Sequence, residues 1–460
     1  MNCRALAAAA LCFISLPAVA QEDAGKPFRL QTALDLPDWL KLSASIRPRY
    51  ETLENQFVAG RTGSDELLGM QSVLKAEIDA NDFAFVGEIV DARRLIGNDG
   101  GGAPAEVDAL EPVQIFAAWR PKDFLMKGAS LDVSVGRFTM DVGSRRLVAR
   151  SGFRNIVSSF DGVRGAWSGP GGVKVMGFYT APTTREPTDI PSALDNEIVF
   201  NPVLDDVRFG GWHAEAPLPM SFTGEVYLID LDEDDGDVAQ TRNRDLSTGG
   251  FRLRRAPRAK TWDFEIEYAH QTGSVRSSTN PADITDLDHN ASMLHAEAGW
   301  TLDAPWSPRL SVHYDLASGD DSPGDLASER FDPLFGDRSF EFGPTSIYGA
   351  VLRSNLDSPG VRIEARPNSR NELMGMVRQV KLESATDSFA NSSVRDPAGA
   401  SGDDVGTQVE LRWRHQVVPD SVRLSLGGTA LIRGDFLKTA PNATLEGDTW
   451  YGYTELLFSF

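Results

Sequence analysis

Arginine is the residue type in this sequence whose spacing most clearly indicates chemistry. Several segments place arginines at alternate positions, and alternate side chains of a β-strand lie on one face. The basic residues that share such faces are Arg47, Arg49, Lys75, Arg252, Arg254, Arg362, Arg366, Arg412, Arg414, Arg423 and Arg433. A guanidinium is a planar donor fork that fits a carboxylate. If these faces lined a pore, they would favour the passage of anions.

Carboxylates on the same faces leave a second interpretation open. They include Glu51, Glu77, Glu88, Glu265, Glu364 and Glu410. Arginines that pair with neighbouring carboxylates would only hold the shape of a wall. The sequence leaves both interpretations open for each arginine.

Catalytic and metal-binding signatures do not stand out in the sequence. The histidines show no paired ligand spacing, and there is no nucleophile elbow or Gly-rich phosphate loop. His313 and Asp315 share a face, which we interpret as wall polarity. We expect no enzyme activity, no catalytic, cofactor-binding or metal-ligating residues, and no cofactor. A barrel enzyme or adhesin that acts through its long loops is the minority hypothesis.

An acidic run that begins at Asp230 has the composition of a calcium loop but not its pattern. Counted from Asp230, the sixth residue is Asp235 where glycine is needed, and the twelfth is Thr241 where glutamate is needed. We interpret the run as a solvated outer loop.

The elements that must position these side chains are alternating segments of about ten residues, which is the length of a tilted strand that crosses a membrane. After the N-terminal segment, no apolar run approaches the roughly 18 to 20 residues of a spanning helix. About eighteen segments are found, and one has two candidate positions, Ile347–Ser354 or Val361–Arg366. An even number is expected when a single bacterial chain closes on itself. The predicted fold class is all-β, a transmembrane antiparallel up-and-down β-barrel.

The connections between segments alternate in length. Asn81-Asp82 and Pro419-Asp420 are short, whereas Pro182–Leu204 and Gly319–Pro344 are long. With both termini on the periplasmic side, the short turns lie there and the long loops lie outside, as in outer-membrane barrels.

The two faces of the segments differ in polarity. From Trp262 to Tyr268, aromatic and aliphatic residues alternate with Asp263, Glu265 and Glu267. A soluble barrel would have no room for so many charges in its core. We therefore expect an apolar outer face and a charged, wet lumen.

The first twenty residues read as a secretory signal. Arg4 supplies the charge, Ala5–Leu16 the apolar run and Ala18–Ala20 the cleavage site. Both cysteines fall inside it, so we expect no disulfide in the mature chain. We divide the chain into a signal peptide (1–20), cleaved near Ala20, a periplasmic N-terminal segment (21–40) and a barrel (41–460). The formal net charge of −21 disfavours nucleic acid as a partner.

The last segment, Asp448–Phe460, alternates in type and ends on an aromatic residue. A final strand of this kind can pair with the first strand and close the sheet, so that no edge is left open. We expect Glu455 to face the lumen and to form a carboxylate–guanidinium contact with Arg47 or Arg49 across the seam. Phe460 resembles the end signal that the outer-membrane assembly machinery reads.

The stretch Val135–Trp167 resembles the alginate-export family of outer-membrane β-barrel porins. Its motifs are Gly136-Arg137, Gly143 with Arg145 to Val148, Arg154-Asn155, and Phe160-Asp161-Gly162 with Arg164. Later stretches are also similar, namely Ala317–Asp320 followed by Phe331–Phe335, and Gly434–Lys438. The sequence departs from the family at Phe138, where glutamine often follows the Gly-Arg pair.

The resemblance implies a monomeric eighteen-stranded barrel in the outer membrane of a Gram-negative cell. It also implies an Arg-rich constriction, plugged by loops or turns, that passes an anionic polysaccharide. The candidate pore-lining arginines are then Arg47, Arg49, Arg137, Arg145, Arg146, Arg154, Arg164, Arg252, Arg254, Arg362, Arg412, Arg414 and Arg433.

We expect export of an alginate-like polysaccharide, with uptake of small organic acids or sugars by a porin as the alternative. The expected partners are outer-membrane lipid and lipopolysaccharide, the barrel assembly machinery, the polysaccharide itself and periplasmic secretion proteins, with no nucleic acid.

Overall fold

The chain folds into a closed antiparallel β-barrel. The computed structural model describes residues 27–98, 105–236, 239–389 and 392–460. The first strand pairs with the second and also with the last, so the sheet closes on itself. The signal peptide expected at residues 1–20, with its cleavage site near Ala20, lies outside the described residues.

The sheet has nineteen strands, of which β14 has two residues and pairs in parallel with β12 inside a loop. The other eighteen form the barrel, which confirms the predicted fold class and strand number. The strands are β1 Leu40–Glu54, β2 Asp65–Ala80, β3 Phe83–Gly97, β4 Asp108–Trp119, β5 Ser130–Phe138, β6 Phe160–Ser168, β7 Lys174–Pro182, β8 Val207–Leu218, β9 Phe222–Glu233, β10 Asp245–Arg255, β11 Trp262–Val275, β12 Leu287–Thr301, β13 Arg309–Ala317, β14 Ala327–Ser328, β15 Leu356–Asn368, β16 Asn371–Lys381, β17 Asp404–Val418, β18 Val422–Arg433 and β19 Thr449–Ser459.

The faces of the barrel are inverted relative to a soluble protein. In β11 the side chains of Trp262, Phe264 and Ile266 are exposed, whereas Asp263 and Glu267 are buried. Because strand side chains alternate between faces, the apolar residues form the outer surface and the charged residues face the lumen. This arrangement is that of a barrel in a membrane.

The connections alternate as predicted, with both ends of the barrel on the side of the short turns. One segment was placed ambiguously by the sequence. The strand is Leu356–Asn368, so the alternative Ile347–Ser354 is wrong: those residues belong to a long loop whose Tyr348 and Val351 pack into the interior.

Short α-helices accompany the sheet in the described residues at Leu30–Ala33, Ile190–Leu194, Ser339–Phe342 and Asp435–Thr439. Within the described ranges, no helix is both long and apolar enough to cross a membrane. The segment before β1 lies against the end of the chain, where Arg29 donates to the Ser459 carbonyl at 3.2 Å and the ring of Phe28 meets that of Phe460 edge-on.

An apolar core lies inside the barrel, where the long loops fold inward. Wall residues such as Phe160 and Phe209 pack there against loop residues such as Val148, Phe335 and Phe342. We name residues 139–159, between β5 and β6, inner loop 1, and residues 318–355, between β13 and β15, inner loop 2. These loops bring the functional side chains into the lumen.

Candidate functional site

The two inner loops bind each other along their backbones. Val148 and Phe335 form a parallel bridge. The amide of Ala149 donates to the Phe335 carbonyl at 3.0 Å, and the amide of Asp337 donates to the Arg145 carbonyl at 3.0 Å. The loops therefore form one unit that occupies the lumen.

Inner loop 1 is also tied to the first strand. Arg47 donates to the carbonyls of Gly152 and Arg154, each at 2.7 Å. The guanidinium of Arg49 lies 4.0 Å from the centre of the Phe153 ring. Arg47 and Arg49 therefore hold inner loop 1 against the first strand.

Three guanidinium groups on the loops form what we call the inner arginine cluster: Arg154 of inner loop 1, Arg185 of loop 183–206, and Arg338 of inner loop 2. Within the described ranges none of them forms an ion pair with a carboxylate. Two of them donate to neutral groups: Arg185 donates to the Ser158 hydroxyl at 3.0 Å and Arg338 to the Val351 carbonyl at 3.1 Å.

The guanidinium groups of this cluster repel one another, and the carboxylates of Asp337 and Asp108 offset part of that repulsion. Burial, and then the positive charge of Arg154, lower the pKa of Arg185 to about 10 and that of Arg338 to about 9. Burial also lowers the pKa of Arg154. An anion placed among them would offset both the lost hydration and the mutual repulsion.

The wall formed by β15 to β19 and β1 is basic. Arg362 and Arg412 form no ion pair in the part of the chain that the structure describes, and Arg414 reaches Glu372 only at 4.0 Å. On the neighbouring strands, Arg47 and Arg423 lie 3.9 Å and 3.5 Å from the single carboxylate of Glu455.

An acidic network lies along β8 to β13 and extends to β7, β15, β16 and the two inner loops. It comprises the carboxylates Glu215, Glu225, Asp263, Glu265, Glu267, Glu297, Asp315, Glu341 and Glu364. These are linked, directly or through His295, to Lys174, Arg146, Arg252, Arg254, Arg309, Arg353 and Arg378. With nine carboxylates and seven cations, this side of the lumen holds its arginines in ion pairs.

The predicted arginines therefore divide into two groups. Arg49, Arg145, Arg146, Arg252 and Arg254 form close ion pairs, for example Arg252 with Glu225 at 2.9 Å. Arg47, Arg154, Arg164, Arg362, Arg412 and Arg414 have no carboxylate nearer than 3.9 Å in the described ranges. The interpretation that arginines only hold the wall applies to the first group alone.

Two of the predicted pore-lining arginines, Arg137 and Arg433, belong to neither group. Arg137 shares the parity of Val135, whose side chain is outward and exposed, and pairs with Asp161 at 2.8 Å and Glu111 at 2.7 Å. We therefore remove Arg137 from the pore-lining set, because strand alternation places it on the outer face near the end of β5. Arg433 is buried and donates to the Thr444 carbonyl at 2.9 Å, so it fastens the loop before β19.

The contacts at the closure seam, where β1 pairs with β19, agree with the prediction made from the sequence. Arg49 and Glu455 are direct register partners in β1 and β19, and Arg49 Nη1 lies 3.4 Å from Glu455 Oε2. The predicted carboxylate–guanidinium contact is confirmed.

Arg185 and Arg338 were missed by sequence reasoning. Arg185 stands in a loop with six acidic residues, so its neighbours indicated an ordinary solvated loop. Arg338 follows the Phe331–Phe335 motif closely, and that proximity was the available signal.

The acidic run after Asp230 is split between strand and loop. Asp230 and Asp232 belong to β9, while Asp235 accepts from the Thr241 amide at 3.1 Å and pairs with Arg276 at 3.4 Å. Asp237, also part of the run, lies outside the described residues.

The chain is similar to a known protein family. A model of the alginate export family matches residues 38–449. No curated protein sequence matches the chain.

Solved barrels from Pseudomonas aeruginosa share the architecture. OccK8 (OprE) has a TM-score of 0.58 at 11% identity, OpdL 0.56 at 11%, and OccK9 (OpdG) 0.56 at 13%. Each comparison covers 92% of this chain and 98% of the other. At such identities the likeness shows the shared fold.

Proposed function

Because the chain belongs to the alginate export family of outer-membrane β-barrels, we propose that it is a channel that exports an anionic, alginate-like polysaccharide through an arginine-lined lumen. The observation that carries the proposal is the inner arginine cluster. Arg338 is buried and Arg154 and Arg185 are partly buried, and guanidinium groups at such positions without an ion pair in the described ranges are costly unless an anion binds among them.

The basic wall supports the same path. Arg412 and Arg414 of β17 and Arg362 of β15 form no ion pair closer than 4.0 Å within the described residues, and Arg362 lies beside the acidic network, opposite Ser311 of β13. A polyuronate carries one carboxylate per sugar, and an arginine can bind each carboxylate through two parallel hydrogen bonds. A series of weakly held arginines would let such a chain advance from one to the next.

Ion selectivity in planar bilayers tests the proposal. We expect a reversal potential that favours anions, and a several-fold lower anion-to-cation permeability ratio in Arg154→Gln and Arg338→Gln. Arg366→Gln is the matched control, because its side chain is 77% exposed. A cation-selective pore that these loop variants leave unchanged would contradict the proposal.

Uptake of small organic acids or sugars is the second candidate, and the packed inner loops favour it because they fill space that a polymer would need. Current block separates the two. An oligouronate added on the side of the short turns should block the export channel at lower concentration than the monomer does. Equal block by monomer and oligomer would favour uptake.

The setting we propose is a monomer in lipopolysaccharide-containing outer membrane, delivered by the N-terminal signal and inserted by the assembly machinery through Phe460. Periplasmic secretion proteins would present the polysaccharide to the side of the short turns.

A further inference from the structure

Two histidines and two carboxylates face one another across β12 and β13. The register sets His295 opposite Asp315 and Glu297 opposite His313. All four point into the lumen, where His295 and His313 are 1% and 4% exposed. Pairing of adjacent strands thus joins residues that are far apart in the sequence.

Three atoms of this group lie at metal-ligand spacing. His313 Nδ1 is 3.4 Å from Glu297 Oε2, and His295 Nε2 is 4.0 Å from the same oxygen. The three ligand atoms all lie within 4.8 Å of one another. Bonds of about 2.0 Å in a tetrahedral zinc site set ligand atoms about 3.3 Å apart, so small side-chain shifts would close this group around an ion.

Each of the three side chains is already held by its other polar atom. His295 Nδ1 contacts Asp315 Oδ1 at 2.7 Å, and His313 Nε2 contacts the Ser311 hydroxyl at 2.7 Å. Glu297 Oε1 contacts Arg309. Metal-binding histidines and carboxylates are oriented in this way by outer partners.

One ring nitrogen is left without a hydrogen-bond partner. His295 Nε2 is buried and accepts or donates no hydrogen bond in the structure. It points at the group, because both Glu297 Oε2 and Glu341 Oε1 lie within 4.0 Å of it. A buried polar atom in this position is costly unless something binds it.

The surrounding charge suits a cation. The acidic network has two more carboxylates than cations, and His295 is the point where its parts meet. Of the guanidinium groups around the two histidines, Arg146 and Arg309 are each paired with three carboxylates and Arg378 with Asp315, while Arg362 lies on the next strand, opposite Ser311.

We propose that His295, His313 and Glu297 bind a divalent transition-metal ion of the zinc class. Two imidazoles and one carboxylate form a ligand set that zinc accepts, with a fourth position beside Glu341 of inner loop 2. The site would join the wall to the loop that occupies the lumen. It goes beyond the proposed export function and does not depend on which solute passes.

The test uses the full mature chain without a polyhistidine tag, refolded in detergent and stripped of metal. Cobalt(II) alone is the spectroscopic probe. We expect one Co²⁺ per chain with the visible absorption of a tetrahedral site, displaced by Zn²⁺. His295→Gln and His313→Gln should remove this spectrum, and Asp315→Asn should weaken affinity by about 10- to 100-fold.

His415→Asn is the matched control, because His415 contacts Asn371 at 3.0 Å away from the group. Heat-modifiable migration in electrophoresis reports whether each variant is folded. Failure of the folded parent chain to take up Co²⁺ stoichiometrically would overturn the proposal, as would a spectrum that persists in both histidine variants. Neither result bears on anion selectivity, which tests the export function separately.

Discussion

Glu455 joins the strands on both sides of the seam where the barrel closes. Its buried carboxylate faces Arg47, Arg49 and Arg423, at 3.9, 3.4 and 3.5 Å. Removing one partner from a buried charged group leaves the other charges uncompensated. One carboxylate thus stabilises three guanidinium groups on both sides of the seam.

We expect Glu455→Gln to lower the free energy of unfolding by about 3 kcal/mol, because buried Arg47 loses its carboxylate and buried Arg49 keeps only Glu51. Equilibrium unfolding in denaturant, with the protein refolded into lipid vesicles, measures the change.

The control for this variant is Glu372→Gln. Glu372 is 49% exposed and contacts Arg366 and Arg414 only at 3.4 and 4.0 Å. Half-exposed pairs of this kind contribute less than about 1 kcal/mol. Equal losses in the two variants would refute the special role of Glu455.

The sequence alone could not show which arginines are held in ion pairs. Alternation placed Arg252 and Arg412 on inner faces alike, yet Arg252 is held by Glu225 and Glu265 while Arg412 has no ion pair among the described residues. The difference arises from the strands on either side, and strand pairing fixes those neighbours only in three dimensions.

At the scale of elements, the two inner loops approach each other closely at Gly336, which has no side chain. An added Cβ at Gly336 would overlap the carbonyl group of Arg146 and lie 3.1 Å from the Leu147 amide nitrogen. Both contacts are with backbone, which gives way only if the loops separate. The parallel bridge between Val148 and Phe335 depends on this close approach.

We expect Gly336→Ala to loosen inner loop 2 from inner loop 1 at a cost of about 1 to 3 kcal/mol. Single-channel recordings should then show higher conductance and more frequent current fluctuations than those of the parent chain. Gly152→Ala is the matched control, because an added Cβ there meets nothing within 4 Å. If both variants gate like the parent, contact between the loops does not limit the pore.

The sequence predicted the barrel, but it did not predict how the loops and side chains pack inside it. Alternation and connection length predicted eighteen strands and their polarity, because strand side chains obey a period of two. The long loops carry no such period. That Phe331 and Phe342 pack inside the barrel, or that His295 meets His313, depends on how each loop and strand lies against its neighbours.

For the whole molecule, the acidity of the chain and an anion path are compatible because the charges are segregated. Loop 183–206 has six acidic residues and one arginine, while inner loop 1 has four arginines and the single acidic residue Asp141. In the first loop Asp195, Glu197 and Asp205 are exposed, whereas Arg146 of inner loop 1 is buried. Loop 183–206 therefore places negative charge at the outer surface, while inner loop 1 places its arginines inside the barrel.

This segregation predicts an unusual dependence on salt. Exposed charges act over about 30 Å at 0.01 M ionic strength but over only about 8 Å at 0.15 M, while buried charges are screened much less. The acidic outer loops should therefore oppose anion entry at low salt and lose this effect first. We expect the anion-to-cation permeability ratio to rise between these two salt concentrations, as measured by reversal potentials. Asp195→Asn combined with Glu197→Gln should flatten the rise. A ratio that falls steadily with salt in the parent chain would contradict the prediction, because it would mean that dissolved ions screen the lumenal arginines as well.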